Sequence, residues 1–292
     1  MCGLICVSCS TVFTHRVLFP EHRTTPLLDS IPPYTSHPVT APDGSTFDVW
    51  RLEAPTPRGR LLLCHGYYAN RYQVLWLAEG LRQRGYEVLL MELRGHGGRP
   101  GPCTLGLKES EDAAAVLHWA RARETTRSLP IGVLGFSMGA SVVCQVARRV
   151  PEVRAIVVDS IYSRLFPVLR QRIKERYGAV AATPMTWLTW WGLHAALRTR
   201  LASIDPVALA LQLRQPLFAI SGGADQRVDP RLSEEFYARW AGPKEQWSEP
   251  DVIHVGMFAK HPEEYCNRVA RFFDQALAQS PASVSSTPPV PR

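Results

Sequence analysis

Residues 131–141, IGVLGFSMGAS, are the stretch on which the fold turns. Residues 131–135 make a short apolar run of strand length. Gly135-Phe136-Ser137-Met138-Gly139 is a G-x-S-x-G pentapeptide, and residues 140–150 have the spacing of a helix. A strand, this pentapeptide and a helix in that order form a nucleophile elbow, a turn sharp enough to lift the serine hydroxyl clear of the sheet edge. Such a turn brings strand and helix so close that a Cβ two positions either side of Ser137 would collide with neighbouring backbone, which accounts for both glycines. Taken alone, the pentapeptide also fits an ordinary Gly-Ser turn. Its meaning depends on partners elsewhere in the chain.

A serine nucleophile needs a base to take its proton and an acid to hold that base in the productive tautomer. Residues 216–221, PLFAIS, read as a buried strand running into Gly222-Gly223-Ala224-Asp225, which puts a carboxylate on the loop just past the strand end. His254 follows in DVIHVG, ahead of a helical pattern over residues 261–278. Read singly, Asp225 is also a turn residue and His254 a capping or packed imidazole. Together, Ser137, Asp225 and His254 stand in an order in which such triads occur. Asp229, beside Pro230, is a rival acid, and Asp159, at the end of an earlier apolar run, is another.

Four further stretches complete a pattern: Leu61-Leu62-Leu63-Cys64-His65-Gly66 with Tyr67, Glu92-Leu93-Arg94-Gly95-His96-Gly97, Val157-Val158-Asp159-Ser160, and Ile204-Asp205-Pro206. With the triad, they make the chain resemble the α/β-hydrolase family over about residues 46–278, in particular its serine-aminopeptidase-like and acyl-hydrolase branches. The resemblance implies an α/β fold with a doubly wound, mostly parallel sheet and a helical cap inserted after the strand at residues 153–158. It also implies that the backbone N–H groups of Tyr67 and Met138 form an oxyanion hole. His65 and His96 read as structural members of glycine-rich loops. Glu92 stands where many relatives carry Asp, and Gly98-Arg99 replaces a frequent small hydroxyl residue. Those departures bear on the substrate more than on the chemistry.

Working outward, the order of elements is regular. Residues 45–52 alternate like an edge strand, 60–64 and 87–91 read as buried strands, and 72–84 and 108–124 have helical spacing. Strands alternating with helices predict a parallel sheet whose ligands sit at the C-terminal strand ends. Between Asp159 and Pro216 no strand is evident, and residues 165–177 and 186–199 read as helices, which places the cap at about residues 160–203. Trp187, Trp190 and Trp191 share a helical face there, either packing cap against body or lining an apolar acyl pocket.

With 292 residues, 46% of them hydrophobic, the chain can bury one large core, and residues 44–279 are expected to form a single domain. The net charge of +7 includes no run of five like charges, so a nucleic-acid stripe is not expected; a basic surface would suit an anionic membrane or simply aid solubility. Neither zinc-type Cys/His spacing nor a phosphate loop occurs, so no metal or cofactor is implied. Cys64, Cys103, Cys144 and Cys266 read as buried free thiols.

The N-terminus, MCGLICVSCS, is apolar and cysteine-rich but too short to span a bilayer. Three readings compete: a lipoprotein signal with Cys9 lipidated in a cell-envelope protein, S-acylation on the cytosolic side, or a plain tail. Residues 11–43, rich in Pro and Thr, read as a leader or linker, with structure beginning near Ala41; residues 280–292 read as a disordered tail. The activity expected is hydrolysis of an ester or thioester with an apolar acyl group. A peptidase or amidase of the same fold, or a non-catalytic binding protein, are the alternatives, since fold does not choose among them.

Overall fold

Five short apolar runs form strands buried on both faces, the condition of a parallel sheet covered by helices. They are β3 (Gly59–Cys64), β4 (Tyr86–Met91), β5 (Ile131–Phe136), β6 (Val153–Asp159) and β7 (Leu217–Gly222), paired in parallel in the order β4-β3-β5-β6-β7. β2 (Thr46–Leu52) lies antiparallel beside β4, β1 (Thr35–Thr40) antiparallel beside β2, and β8 (Lys244–Glu249) parallel beside β7, giving a sheet of eight strands among the described residues. The computed structural model describes residues 2–21, 31–124 and 128–278. The expected doubly wound, mostly parallel sheet is the one that forms.

Helices α2 (Leu75–Gln83), α3 (Leu107–Arg121), α4 (Met138–Arg149), α8 (Pro230–Arg239) and α10 (Pro262–Ala278) cover the two faces, and α9 (Met257–Lys260) is a single turn ahead of α10. Side chains alternate across a strand. Leu61 and Leu63 therefore pack in the layer of α2 and α10, whereas Leu62 and Cys64 pack in that of α3 and α4, all four fully buried. Each buried leucine contributes about 1.5–3 kcal/mol relative to exposure. Cys64, Cys103, Cys144 and Cys266 are buried free thiols.

Between β6 and β7 the alternation breaks, as expected, into α5 (Leu165–Tyr177), α6 (Ala179–Leu197), a 3-10 turn at Leu201–Ile204 and α7 (Pro206–Ala210). Gly178, at φ 84°, makes the sharp joint between α5 and α6. The Asp205 carboxylate accepts a hydrogen bond from the Leu165 N–H at 2.8 Å, tying the two ends of the insertion together. Burial pushes that carboxyl up to about 6.

The N-terminal region departs from its sequence reading. Structure does not begin near Ala41: α1 (Cys2–Leu18) packs against α6, and residues 35–40 form the edge strand β1, displacing residues 45–52 from the edge. The two helices approach closely at Gly192, where a Cβ would come within 3.0 Å of the Thr14 hydroxyl. Pro38 hides β1 from a propensity reading, yet an edge strand tolerates a missing N–H. Cys9 lies within α1, partly buried against the core, so a lipid on its sulfur would require that packing to open. Among the described residues no helix is long and apolar enough to cross a membrane. The expected tail at residues 280–292 lies outside the described residues.

Candidate active site

Ser137 occupies the turn from β5 into α4 with φ 52° and ψ −113°, a conformation that costs a non-glycine residue of order 1–3 kcal/mol. The surroundings hold it there. The Ser137 N–H donates to the Asp159 carbonyl at the end of β6, 2.8 Å away. The flanking glycines have the steric role inferred from sequence: a Cβ on Gly135 would sit 2.2 Å from the Gly139 carbonyl oxygen, and one on Gly139 would sit 2.3 Å from that of Cys64. No larger residue fits either place without moving backbone.

Asp225 and His254 arrive on two loops sewn to each other. Gly223 N–H donates to the Glu249 carbonyl at 2.7 Å and Ala224 N–H to that of Val252 at 3.0 Å, so the loop after β7 and the loop after β8 run together. Gly222 permits this, since a Cβ there would lie 2.1 Å from the Val252 carbonyl oxygen. Asp225 Oδ1 accepts from the N–H groups of Arg227 and Val228 at 2.8 and 2.9 Å, leaving Oδ2 to face His254 Nδ1 at 2.6 Å. His254 Nε2 lies 3.0 Å from Ser137 Oγ. With Asp225 ionised, Nδ1 carries the proton and Nε2 is the acceptor for the serine hydroxyl, a tautomer assigned from these partners.

The rival acids are placed elsewhere. Asp229 accepts from the Arg231 N–H at 3.0 Å and caps the start of α8. Asp159 is buried, accepting from the Ser160 hydroxyl at 2.8 Å and from the Tyr265 hydroxyl at 3.0 Å. Burial pushes its carboxyl up to about 6. Ser160 in turn accepts from the Val255 N–H at 3.0 Å, so Asp159, Ser160 and Tyr265 hold the residue next to His254, itself at a positive φ of 55°. The sequence reading missed this support. A carboxylate ending a strand and a tyrosine on a C-terminal helix carry no signal that they meet.

Tyr67 and Met138 border Ser137 in the same cavity. Met138 opens α4, where a first-turn N–H has no partner within the helix and the helix dipole favours negative charge. His65 is structural: its Nε2 accepts from the Leu93 N–H at 3.0 Å, and its Nδ1 lies 2.8 Å from the Gly66 carbonyl oxygen. His96 Nδ1 lies 2.8 Å from the Arg94 carbonyl oxygen. Glu92 accepts from the Arg71 N–H at 2.7 Å, so this departure from the family pattern braces the loop after Tyr67.

A cavity of about 480 Å³ opens on Ser137 and His254, its walls including Leu105, Tyr162, Leu165, Val168 and Leu169. Phe13 and Val17 of α1 also line it. No feature of the sequence pointed to α1 as a wall of the site. The Tyr67 hydroxyl reaches the carbonyls of Arg16 and Val17, each 3.0 Å away, pinning the end of α1 to the loop that bears the Tyr67 N–H. None of the three cap tryptophans borders this cavity: Trp187 and Trp190 both pack on Phe166, with ring centroids 4.8 and 5.3 Å away, and Trp187 stays half exposed while Trp191 faces outward. Among the described residues, no three His, Cys, Asp or Glu side chains are grouped to hold a metal ion.

Comparison with known proteins agrees with this architecture. Residues 59–183 match the family model described as alpha/beta hydrolase fold. The uncharacterized protein Rv2307c of Mycobacterium tuberculosis is 30% identical over 244 residues, covering 82% of this chain and 79% of that protein. The uncharacterized protein YqkD of Bacillus subtilis is 21% identical over 285 residues, 92% of this chain and 93% of its own. Among solved structures, the Pyrococcus furiosus esterase Pf2001 superposes with a TM-score of 0.73 at 25% identity, covering 89% of this chain and 100% of that one. By sequence, by sheet order and by the turn that carries Ser137, the chain belongs to the alpha/beta hydrolase fold family and is a hydrolase of that fold.

Proposed function

We propose that this protein is a serine hydrolase that cleaves a carboxylic ester or thioester with an apolar acyl group through an acyl-enzyme. The observation that carries the reading is the unbroken line from Ser137 Oγ through His254 to Asp225, at 3.0 and 2.6 Å, opening on a cavity walled largely by apolar side chains. In this reading Ser137 Oγ attacks the acyl carbon as its proton passes to His254 Nε2. Asp225 stabilises the imidazolium, and the Tyr67 and Met138 N–H groups meet the charge developing on the carbonyl oxygen. Each oxyanion donor contributes about 10² to 10³ in rate. Collapse expels the alcohol or thiol, which takes the proton from His254. Water then attacks the acyl-enzyme with the same base and releases the carboxylic acid, restoring Ser137.

An apolar cavity fits an acyl chain, because burying each methylene contributes about 0.8 kcal/mol. The likeness to an esterase agrees with an ester as substrate. The test is labelling of the purified protein with a fluorophosphonate, beside Ser137→Ala, with mass mapping of the adduct. We expect one adduct on Ser137, absent from the variant, and turnover of p-nitrophenyl esters that rises with acyl length until the cavity is filled. No adduct on the folded protein would overturn the reading, and faster turnover of amides than of esters would assign the site to a peptidase or amidase.

A further inference from the structure

The outer face of the cap is apolar where it meets solvent. α6 carries no Asp, Glu, Lys or Arg in its 19 residues, and of its outward side chains Val180 is 96%, Trp191 64% and Trp187 51% exposed, with Leu188 beside them. α1, packed against α6, adds exposed Val7 and Val12, and exposed Phe19 follows its last residue. A surface helix ordinarily turns polar residues outward. α6 departs from that rule, its exposed side chains being apolar but for Thr183, whereas α1 presents Val7 and Val12 among the exposed Ser8, Thr11 and His15. Clustered exposed apolar side chains mark surfaces of association.

The charge around them is one-sided. Residues 160–204 contain Arg164, Arg170, Arg172, Lys174, Arg176, Arg198 and Arg200 against the single acid Glu175, so +6 of the chain's net +7 belongs to the cap. The remainder of the molecule is close to neutral. α1 adds Arg16 and, among its 17 residues, no acid.

We propose that the outer face of α1 and α6 docks on an anionic lipid bilayer. The valines, Leu188 and Phe19 enter the acyl boundary, Trp187 and Trp191 sit at headgroup level, and the cap's arginines meet the anionic headgroups. Indoles with flanking cations are the side chains that this interface favours. A second copy is a poorer occupant, because it would bring two caps of like charge together. A nucleic acid would stack on the indoles but offers nothing to the valines. Arg172 and Arg176 also border the cavity that holds Ser137, so cations of the docking element reach the mouth of the site. The docking needs no acyl group on Cys9 and does not depend on the bond the site cleaves.

The full-length protein should float with vesicles of phosphatidylcholine and phosphatidylserine at low salt. It should float far less with phosphatidylcholine alone, and less again as salt screens the headgroups. Trp187→Ser combined with Trp191→Ser should weaken partitioning by about tenfold or more while leaving fluorophosphonate labelling of Ser137 intact as a check on folding. Arg198→Glu with Arg200→Glu is the second variant, expected to remove the preference for phosphatidylserine. Failure to float with the anionic vesicles overturns the proposal, as does equal flotation by both variants. A dimer that these substitutions dissociate would assign the face to a second copy, and retention on RNA instead of vesicles would assign it to nucleic acid.

Discussion

At the scale of single residues, the site depends on which atoms are left free. Asp225 spends one oxygen on two backbone N–H groups and keeps the other for His254, so the carboxylate is oriented before any substrate arrives. An amide of the same shape could keep the geometry yet present the wrong tautomer of the imidazole. Asp225→Asn should therefore lower kcat by about 10³ to 10⁴ with the fold retained, checked by steady-state kinetics beside a thermal melt. Asp225 was legible in sequence as a carboxylate just past a strand. The structure adds the reason it and not Asp229 is the partner: Asp229 is committed to the first turn of α8. The roles of Asp159 and Tyr265 were not legible, because residues more than a hundred positions apart meet only through packing of α10 against β6.

At the scale of elements, α1 is where sequence pattern and structure part. Its cysteines and short apolar run resemble a processing signal, and its composition has no strong helical face; the helix exists because α6 and the Tyr67 loop give it something to pack against. Most of the stability of such a helix comes from tertiary contacts. Tyr67→Phe removes the hydroxyl that holds the carbonyls of Arg16 and Val17. It should lower stability by about 0.5–1.5 kcal/mol. It should also speed proteolysis within residues 2–18 before the rest of the chain is cut, which limited proteolysis with mass mapping reads directly. β8 was equally hidden. KEQWSE does not read as a strand, and only the pairing with β7 and the burial of Trp247 make it one.

At the scale of the whole molecule, two buried carboxyls set a dependence on pH. Asp159 and Asp205 are pushed by burial up to about 6, whereas both ionise near 4 in an unfolded chain. Between those values the native state binds more protons than the unfolded one. Their contribution therefore makes stability fall as pH rises from about 4 to about 6 and level off above. Asp159→Asn, which keeps partners for the Ser160 and Tyr265 hydroxyls, should flatten that decline by on the order of 2–3 kcal/mol, measured by denaturant unfolding at a series of pH values.

The sequence by itself determined the central sheet, the sharp turn at Ser137 and the chain order of Ser137, Asp225 and His254, because these rest on local sterics and on position along the chain. Short apolar runs suit strands buried on both faces, and Gly135 and Gly139 are required wherever a strand turns into a helix this sharply. It determined the cap as an interruption in that alternation, and its excess of cations as composition. Only the tertiary structure decided that α1 walls the cavity, that the cap tryptophans divide between packing and an outward face, and that Asp159 braces the loop of His254. Those outcomes depend on which surfaces meet across long separations in the chain. Their physical cause is burial and hydrogen bonding between distant elements, which no local pattern encodes.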